Sequence, residues 1–153
     1  MGEARQLDIF KTKRQRGIKP RGPSEFEIHC CVTDYLRAGL APGWTWFHVP
    51  NGGERPAFIN SKGRRVSPEG GRLKRMGVKD GVSDILLVKA PAAQLHALEL
   101  KRGGEEPTDE QYNFMNEVIA LGGVATWADS VEAAFRILTD WGAISTRIHL
   151  QGG

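Results

Sequence analysis

The sequence predicts an α/β fold, a central mixed β-sheet with helices packed on it. Three observations carry this. Two apolar runs, "DILLVK" at 84–89 and "QLHALELK" at 94–101, have strand length and are joined by a tight turn around Pro91. "TDEQYNFMNEVIALGG" (108–123) spaces its apolar residues as a helix does. A strand, "VATW" (124–127), and a closing helix, "DSVEAAFRILTDWG" (129–142), follow it. A strand, a helix and a further strand in that order imply a crossover unit, hence a mixed sheet flanked by helices.

The remaining elements fall into place around that unit. "PSEFEIHCCVTDYLRAG" (23–39) reads as a helix capped near Ser24, with Ile28, Val32, Tyr35, Leu36 and Gly39 on one stripe. "WTWFHV" (44–49) alternates and reads as a strand. "PNGGERPAFINSKGRR" (50–65) is a Gly- and Arg-rich loop or hairpin. "SPEGGRLKRMG" (67–77) has Ser67 as a cap, Pro68 at the first helical position and Gly77 as a stop, so it reads as a short helix. In the helix after 108, Thr108 and Gln111 have capping-box spacing and Gly122 closes it. The last helix is capped by Asp129 or Ser130. Trp44, Trp46, Trp127 and Trp141 read as packing residues before they read as base-stacking ones.

At 153 residues the chain suits one domain with a sizeable core. No apolar run approaches the roughly 18 residues that would span a bilayer, and the N-terminus lacks the apolar stretch of a secretory signal. A cytoplasmic protein, bacterial or of a phage-infected host, is expected, with no membrane partner. Cys30 and Cys31 are adjacent, and neighbours do not readily form a disulfide. His29, His48, His96 and His149 are scattered without zinc-site spacing. The net charge of +3 is unevenly placed. Residues 1–22 carry Arg5, Lys11, Lys13, Arg14, Arg16, Lys19 and Arg21 against Glu3 and Asp8, which reads as a disordered basic arm ahead of a single domain at 23–153. A second basic stretch runs from Arg55 to Lys79. Clustered positive charge is the footprint of a polyanion partner.

Asp84, Glu99 and Lys101 are charged groups set into apolar strands. Glu99 and Lys101 share one face of their strand because side chains alternate. An antiparallel hairpin pairing Val88 with Leu95 and Lys89 with Gln94 brings Asp84 opposite Glu99. Two carboxylates that close repel unless something compensates. A divalent cation does so, and Mg²⁺ favours one or two carboxylates completed by waters and phosphate oxygens. Glu-x-Lys alone is common by chance, and the bland alternative is a solvent-facing hairpin with an ordinary cross-strand ion pair.

Five segments in order, "SEFEIHCCVTDYL", "FHVPNGGERP", "EGGRLKRMGVKDGVSDILLV", "ELKRGGEEPTDEQ" and the helix after it, resemble the VRR-Nuc (virus-type replication-repair nuclease) domain of the PD-(D/E)XK nuclease superfamily. The resemblance spans about Ser24 to Ala134 and implies a restriction-endonuclease-like core and metal-dependent phosphodiester hydrolysis. Ser83 stands where such domains commonly have Pro, and His29 where they often carry Gln or Glu. The resemblance implies Asp84 and Glu99 as ligands of Mg²⁺ or Mn²⁺, assisted by the backbone carbonyl of Leu100, with Lys101 beside the reacting phosphate. It also implies an acid from the first helix. Glu25 and Glu27 are the candidates, and Glu25 continues the stripe of Ile28, Val32 and Leu36. Gln111 looks like the glutamine that follows the Glu-x-Lys strand, and it can also serve as the capping partner of Thr108. Asn51, Arg55, Arg72, Lys74, Arg75 and Lys79 are candidate DNA contacts.

The function these features imply is a metal-dependent DNA endonuclease, structure-selective in the manner of a Holliday-junction resolvase. One site cuts one strand, so paired cuts in a four-way junction call for a homodimer. A non-catalytic nucleic-acid-binding module on the same fold is the competing class, and a restriction-type nuclease is a third.

Overall fold

The computed structural model describes residues 22–50 and 56–145, and every charged residue of the basic arm, with Asn51 and Arg55, lies outside them. In chain order the elements are α1 (Glu25–Gly39), β1 (Trp44–His48), β2 (Phe58–Ile59), β3 (Arg65–Val66), α2 (Pro68–Arg75), β4 (Ile85–Lys89), β5 (Gln94–Leu100), α3 (Asp109–Ala120), β6 (Val124–Ala128) and α4 (Val131–Asp140). The main sheet has the order β1-β4-β5-β6. β1 and β5 each run antiparallel to β4, and β6 runs parallel to β5, with α3 as the crossover. The fold is therefore α/β with a four-stranded mixed sheet, as the order of elements predicts.

Alternation divides the hairpin between two cores. Ile85, Leu87, Leu98 and Leu100 point to a layer that contains Ile28, Val32 and Leu36 of α1 with Ala134 and Leu138 of α4. Trp44, Trp46 and Trp141 pack against that layer. On the opposite face Leu86 and Ala97 meet Val118 of α3, with Leu95, Phe114 and Ala125 around them. Burying side chains of this size contributes roughly 1.5–3 kcal/mol each, so a one-residue slip of β5 would exchange two cores and is strongly disfavoured. The observed register is Val88 to Leu95 and Lys89 to Gln94.

Helix ends follow the local chemistry. Ser24 and Glu27 form a capping box on α1, and Thr108 and Gln111 form one on α3. Ser67 caps α2 with Pro68 just inside, and Ser130, not Asp129, caps α4. The stretch at 50–65 resolves as a small hairpin, β2 with β3, forming a sheet of its own. This hairpin and α2 stand apart from the two cores. α2 buries no residue, and Phe58, Ile59, Met76 and Val78 are all exposed.

The turn before β4 makes one very close approach to α3. Gly81 has φ +75°, and a Cβ there would lie 2.3 Å from the carbonyl oxygen of Glu110 and 2.8 Å from the nitrogen of Gln111. The first turn of α3 is seated directly on this glycine.

Candidate active site

The chain turns from apolar to charged at one end of the sheet, where β4 begins and β5 finishes. β4 starts at Ile85, one residue later than the alternation predicts. The reason is visible at Asp84. Its carbonyl accepts from the Val49 N–H at 2.9 Å and lies 2.9 Å from His48 Nδ1. Its carboxylate Oδ2 accepts from the Leu100 N–H at 2.9 Å. A side-chain oxygen thus takes a donor on β5 just where the backbone ladder between β4 and β5 ends. Since a carbonyl only accepts, His48 must donate from Nδ1.

Glu99 is 1% exposed and Lys101 9%. The solvent-facing alternative for this pair is therefore wrong, because α3 covers the face on which they lie. Lys101 Nζ sits 3.1 Å from Glu99 Oε1 and 4.0 Å from Glu25 Oε2. Gln111 Nε2 donates to the same Glu99 oxygen. Gln111 Oε1 meanwhile accepts from the Thr108 N–H at 2.8 Å. One side chain thus caps α3 and anchors the buried carboxylate. Glu99 Oε2 is buried and has no hydrogen-bond partner.

The electrostatics follow from this crowding. Burial, and then the charge of Asp84, push the Glu99 carboxyl up to about 7 against the hydrogen bond and charge of Lys101. Burial also raises Glu25, with Lys101 opposing and Asp84 reinforcing. Glu27 behaves differently. It is exposed, is occupied by the backbone and hydroxyl of Ser24, and is held below its ordinary value by those bonds. Of the two candidates on α1, Glu25 faces the cluster and Glu27 closes the cap.

Among the described residues, no three His, Cys, Asp or Glu side chains converge as a ready-made metal cage. The donors present still fit a hard divalent cation. Glu99 and Glu25 face the Lys101 ammonium, the charge of Asp84 acts on both of those acids, and one buried Glu99 oxygen is unpaired. Mg²⁺ is ordinarily held by one or two carboxylates and completes its shell with water and phosphate oxygens.

The DNA-contact candidates are dispersed. Arg72 and Arg75 line a shallow cleft with Pro68 and Met76. Lys74 pairs with Asp80 at 2.9 Å, and Lys79 pairs with Glu117. Asn51 and Arg55 fall outside the described residues.

Sequence reasoning missed two rings beside the site. His29 on α1 and His48 on β1 meet edge to face with centroids 4.4 Å apart. Burial, and then His48, lower the pKa of His29. A signal was present, since the alternation Trp44, Trp46, His48 puts the histidine on the α1 side and His29 lies one helical turn after Glu25.

This architecture, a four-stranded mixed sheet covered by helices on both faces, has a counterpart among solved structures. More narrowly, the chain has the VRR-Nuc fold. The solved structure of a VRR_NUC domain protein superposes with a TM-score of 0.59 at 19% identity, covering 78% of this chain and 88% of the other. No protein-family model matches the chain, and no curated protein does.

Proposed function

We propose that this protein is a metal-dependent endodeoxyribonuclease that hydrolyses phosphodiester bonds. The observation that carries the reading is Glu99: a buried carboxyl, anchored on one oxygen by Gln111 and Lys101, unpaired on the other, and beside Asp84. Burying such a group is costly unless it is used, because an unsatisfied polar atom in a dry site carries a penalty of about 1–3 kcal/mol.

Asp84 and Glu99, assisted by the Leu100 carbonyl, would hold Mg²⁺ or Mn²⁺, and Glu25 would complete the site. When bound, the cation supplies Lewis-acid stabilisation of phosphate charge and makes water more acidic. The chain's own groups do the rest. Lys101 is fixed by Glu99 and places a positive charge where negative charge grows on the phosphorus oxygens. Gln111, held by Thr108, keeps the Glu99 carboxylate from rotating. Asp84 is fixed by the Leu100 N–H.

The finer reading is a structure-selective enzyme, acting on four-way junctions as a homodimer whose two sites make paired cuts. Arg72, Arg75, Lys74 and Lys79, with Asn51 and Arg55, would contact the phosphate backbone. The test is cleavage of linear duplex, single-stranded, flap and four-way junction DNA with Mg²⁺, with Mn²⁺ and with excess chelator. Metal-dependent cutting that favours branched DNA, from a protein with the mass of two chains by light scattering, supports the reading. Undiminished cutting in chelator overturns the metal. Tight binding without cutting would make the chain a nucleic-acid-binding module.

A further inference from the structure

The catalytic cluster opens on one side into a groove of about 760 Å³ between α1 and β1. Glu25 and Asp84 belong to both, so whatever lies in the groove lies next to the reacting phosphate. The groove follows α1 from Glu25 to Arg37, about 18 Å at 1.5 Å per residue. Its walls are rings: Phe26, His29, Trp46 and His48 all line it.

We propose that this groove is a pocket for a single unpaired nucleobase adjacent to the scissile phosphate. The inference rests on the nuclease reading of the Asp84–Glu99 cluster and supplies the source of its substrate selectivity. Three observations carry it.

The first is Phe26. It is 76% exposed and is not among the residues that pack against either core, yet it stands at the mouth of the groove next to Glu25. An aromatic face there offers a stacking surface to any base, whatever its identity.

The second is charge. Among the described residues, Glu25, Asp34 and Asp84 line the groove against one arginine, and that Arg37 bonds to Asp34 at 3.2 Å and lies 5.9 Å over the Trp46 ring. With Glu25 and Asp84 given to the cation and Asp34 paired with Arg37, the described lining leaves no unpaired lysine or arginine to hold a phosphate chain and accepts a neutral planar ring.

The third is size. The volume lies within the range of pockets that hold small organic groups and is far too small for a duplex.

A base inside a duplex reaches such a pocket only by unstacking and unpairing, at a cost of a few kcal/mol, whereas a base already free at a branch, flap or gap avoids most of it. The pocket therefore discriminates between branched and linear DNA within a single subunit.

The test uses the full chain. Wild-type protein and Mg²⁺ locate the cut on a flap or four-way junction, and each nucleotide flanking that cut is then replaced by an abasic analogue. At one position the replacement should lower kcat/KM roughly tenfold or more, the scale of a lost base–aromatic stack. Phe26→Ala should cost a similar factor on intact DNA, while Phe26→Tyr, which keeps the ring, retains the rate. On the critical abasic substrate Phe26→Ala should add nothing, since both changes remove one contact. Equal rates on every abasic substrate, or additive losses, overturn the base pocket and leave the nuclease reading standing. A wild-type protein that cuts none of the DNAs overturns both.

Discussion

Lys101 and Lys74 each lie about 3 Å from a carboxylate oxygen, at 3.1 and 2.9 Å, yet their side chains are 11% and 63% exposed. The difference separates two regions of the molecule. At the end of the sheet, Lys101 is held beside Glu99 by elements that also build the cores, and neither partner can leave without stranding the other. On the segment from β2 through α2, Lys74 faces Asp80 in water, where an ion pair contributes about 0–1 kcal/mol and exchanges freely for a phosphate. The same distance thus marks a fixed charge suited to chemistry in one region and an adjustable charge suited to electrostatic attraction in the other.

If that division is right, substitutions in the two regions should fail in different ways. The largest effect belongs to the acids. Glu99→Gln and Asp84→Asn should each abolish cleavage while leaving the fold intact, because Gln and Asn keep an acceptor for the Gln111 and Leu100 donors. Thermal melts in chelator should be equal to or above wild type, since a like-charge contact is relieved. A collapse in melting temperature would assign the pair to structure.

Lys101→Ala comes next. The chemical rate in single-turnover experiments should drop on the order of 10²-fold or more, with DNA affinity nearly unchanged. Wild-type rates would move Lys101 from chemistry to packing.

A pH titration of stability sharpens the comparison without any substrate. The Glu99 carboxyl sits at about 7 in the folded protein against an ordinary 4.5, so the folded state binds the extra proton between those values. Its contribution to stability is full below about 4.5 and is lost as the pH rises through about 7. In chelator, urea midpoints should decline across that window, and Glu99→Gln should flatten the decline. Lys74→Ala should leave the profile as in wild type.

The smallest effects should lie on the exposed side. Arg72→Ala with Arg75→Ala should weaken DNA binding and reduce the slope of log affinity against log salt by up to about 2, with the cleavage rate of bound DNA unchanged. Removing residues 1–22 should flatten that slope further. An unchanged slope in either case would show that those charges do not touch DNA.

The legibility of the molecule followed the same division. The register of β4 and β5 could be read because the short loop around Pro91 sets Val88 against Leu95 and Lys89 against Gln94, and alternation then rules out a one-residue slip. The cap at Ser24 and the capping box of Thr108 with Gln111 could be read because each is local in the chain, whereas the part Glu27 plays in the first of them was not. The hairpin of β2 and β3 could not be told from a loop, since strands of two residues hold no alternation. Nor does spacing along the chain reveal that Asp84 uses its side chain to take the Leu100 N–H, which shortens β4 and fixes the acid. That requires knowing where β5 stops. The approach of His29 to His48 is likewise set by the packing of α1 on β1 and not by either segment alone.

Gly81 belongs to neither region and governs how they meet. The residues before it carry the exposed charges, and the helix resting on it delivers Gln111 to Glu99. Its missing side chain acts as a spacer of fixed width. Adding a methyl would lift the first turn of α3 off its seat, and with it the amide that steadies Glu99. The tightness of the buried carboxylate is thereby set from outside the strands, by a residue with no functional group. Natural or engineered changes at that glycine would shift the cluster without touching a single polar atom of it.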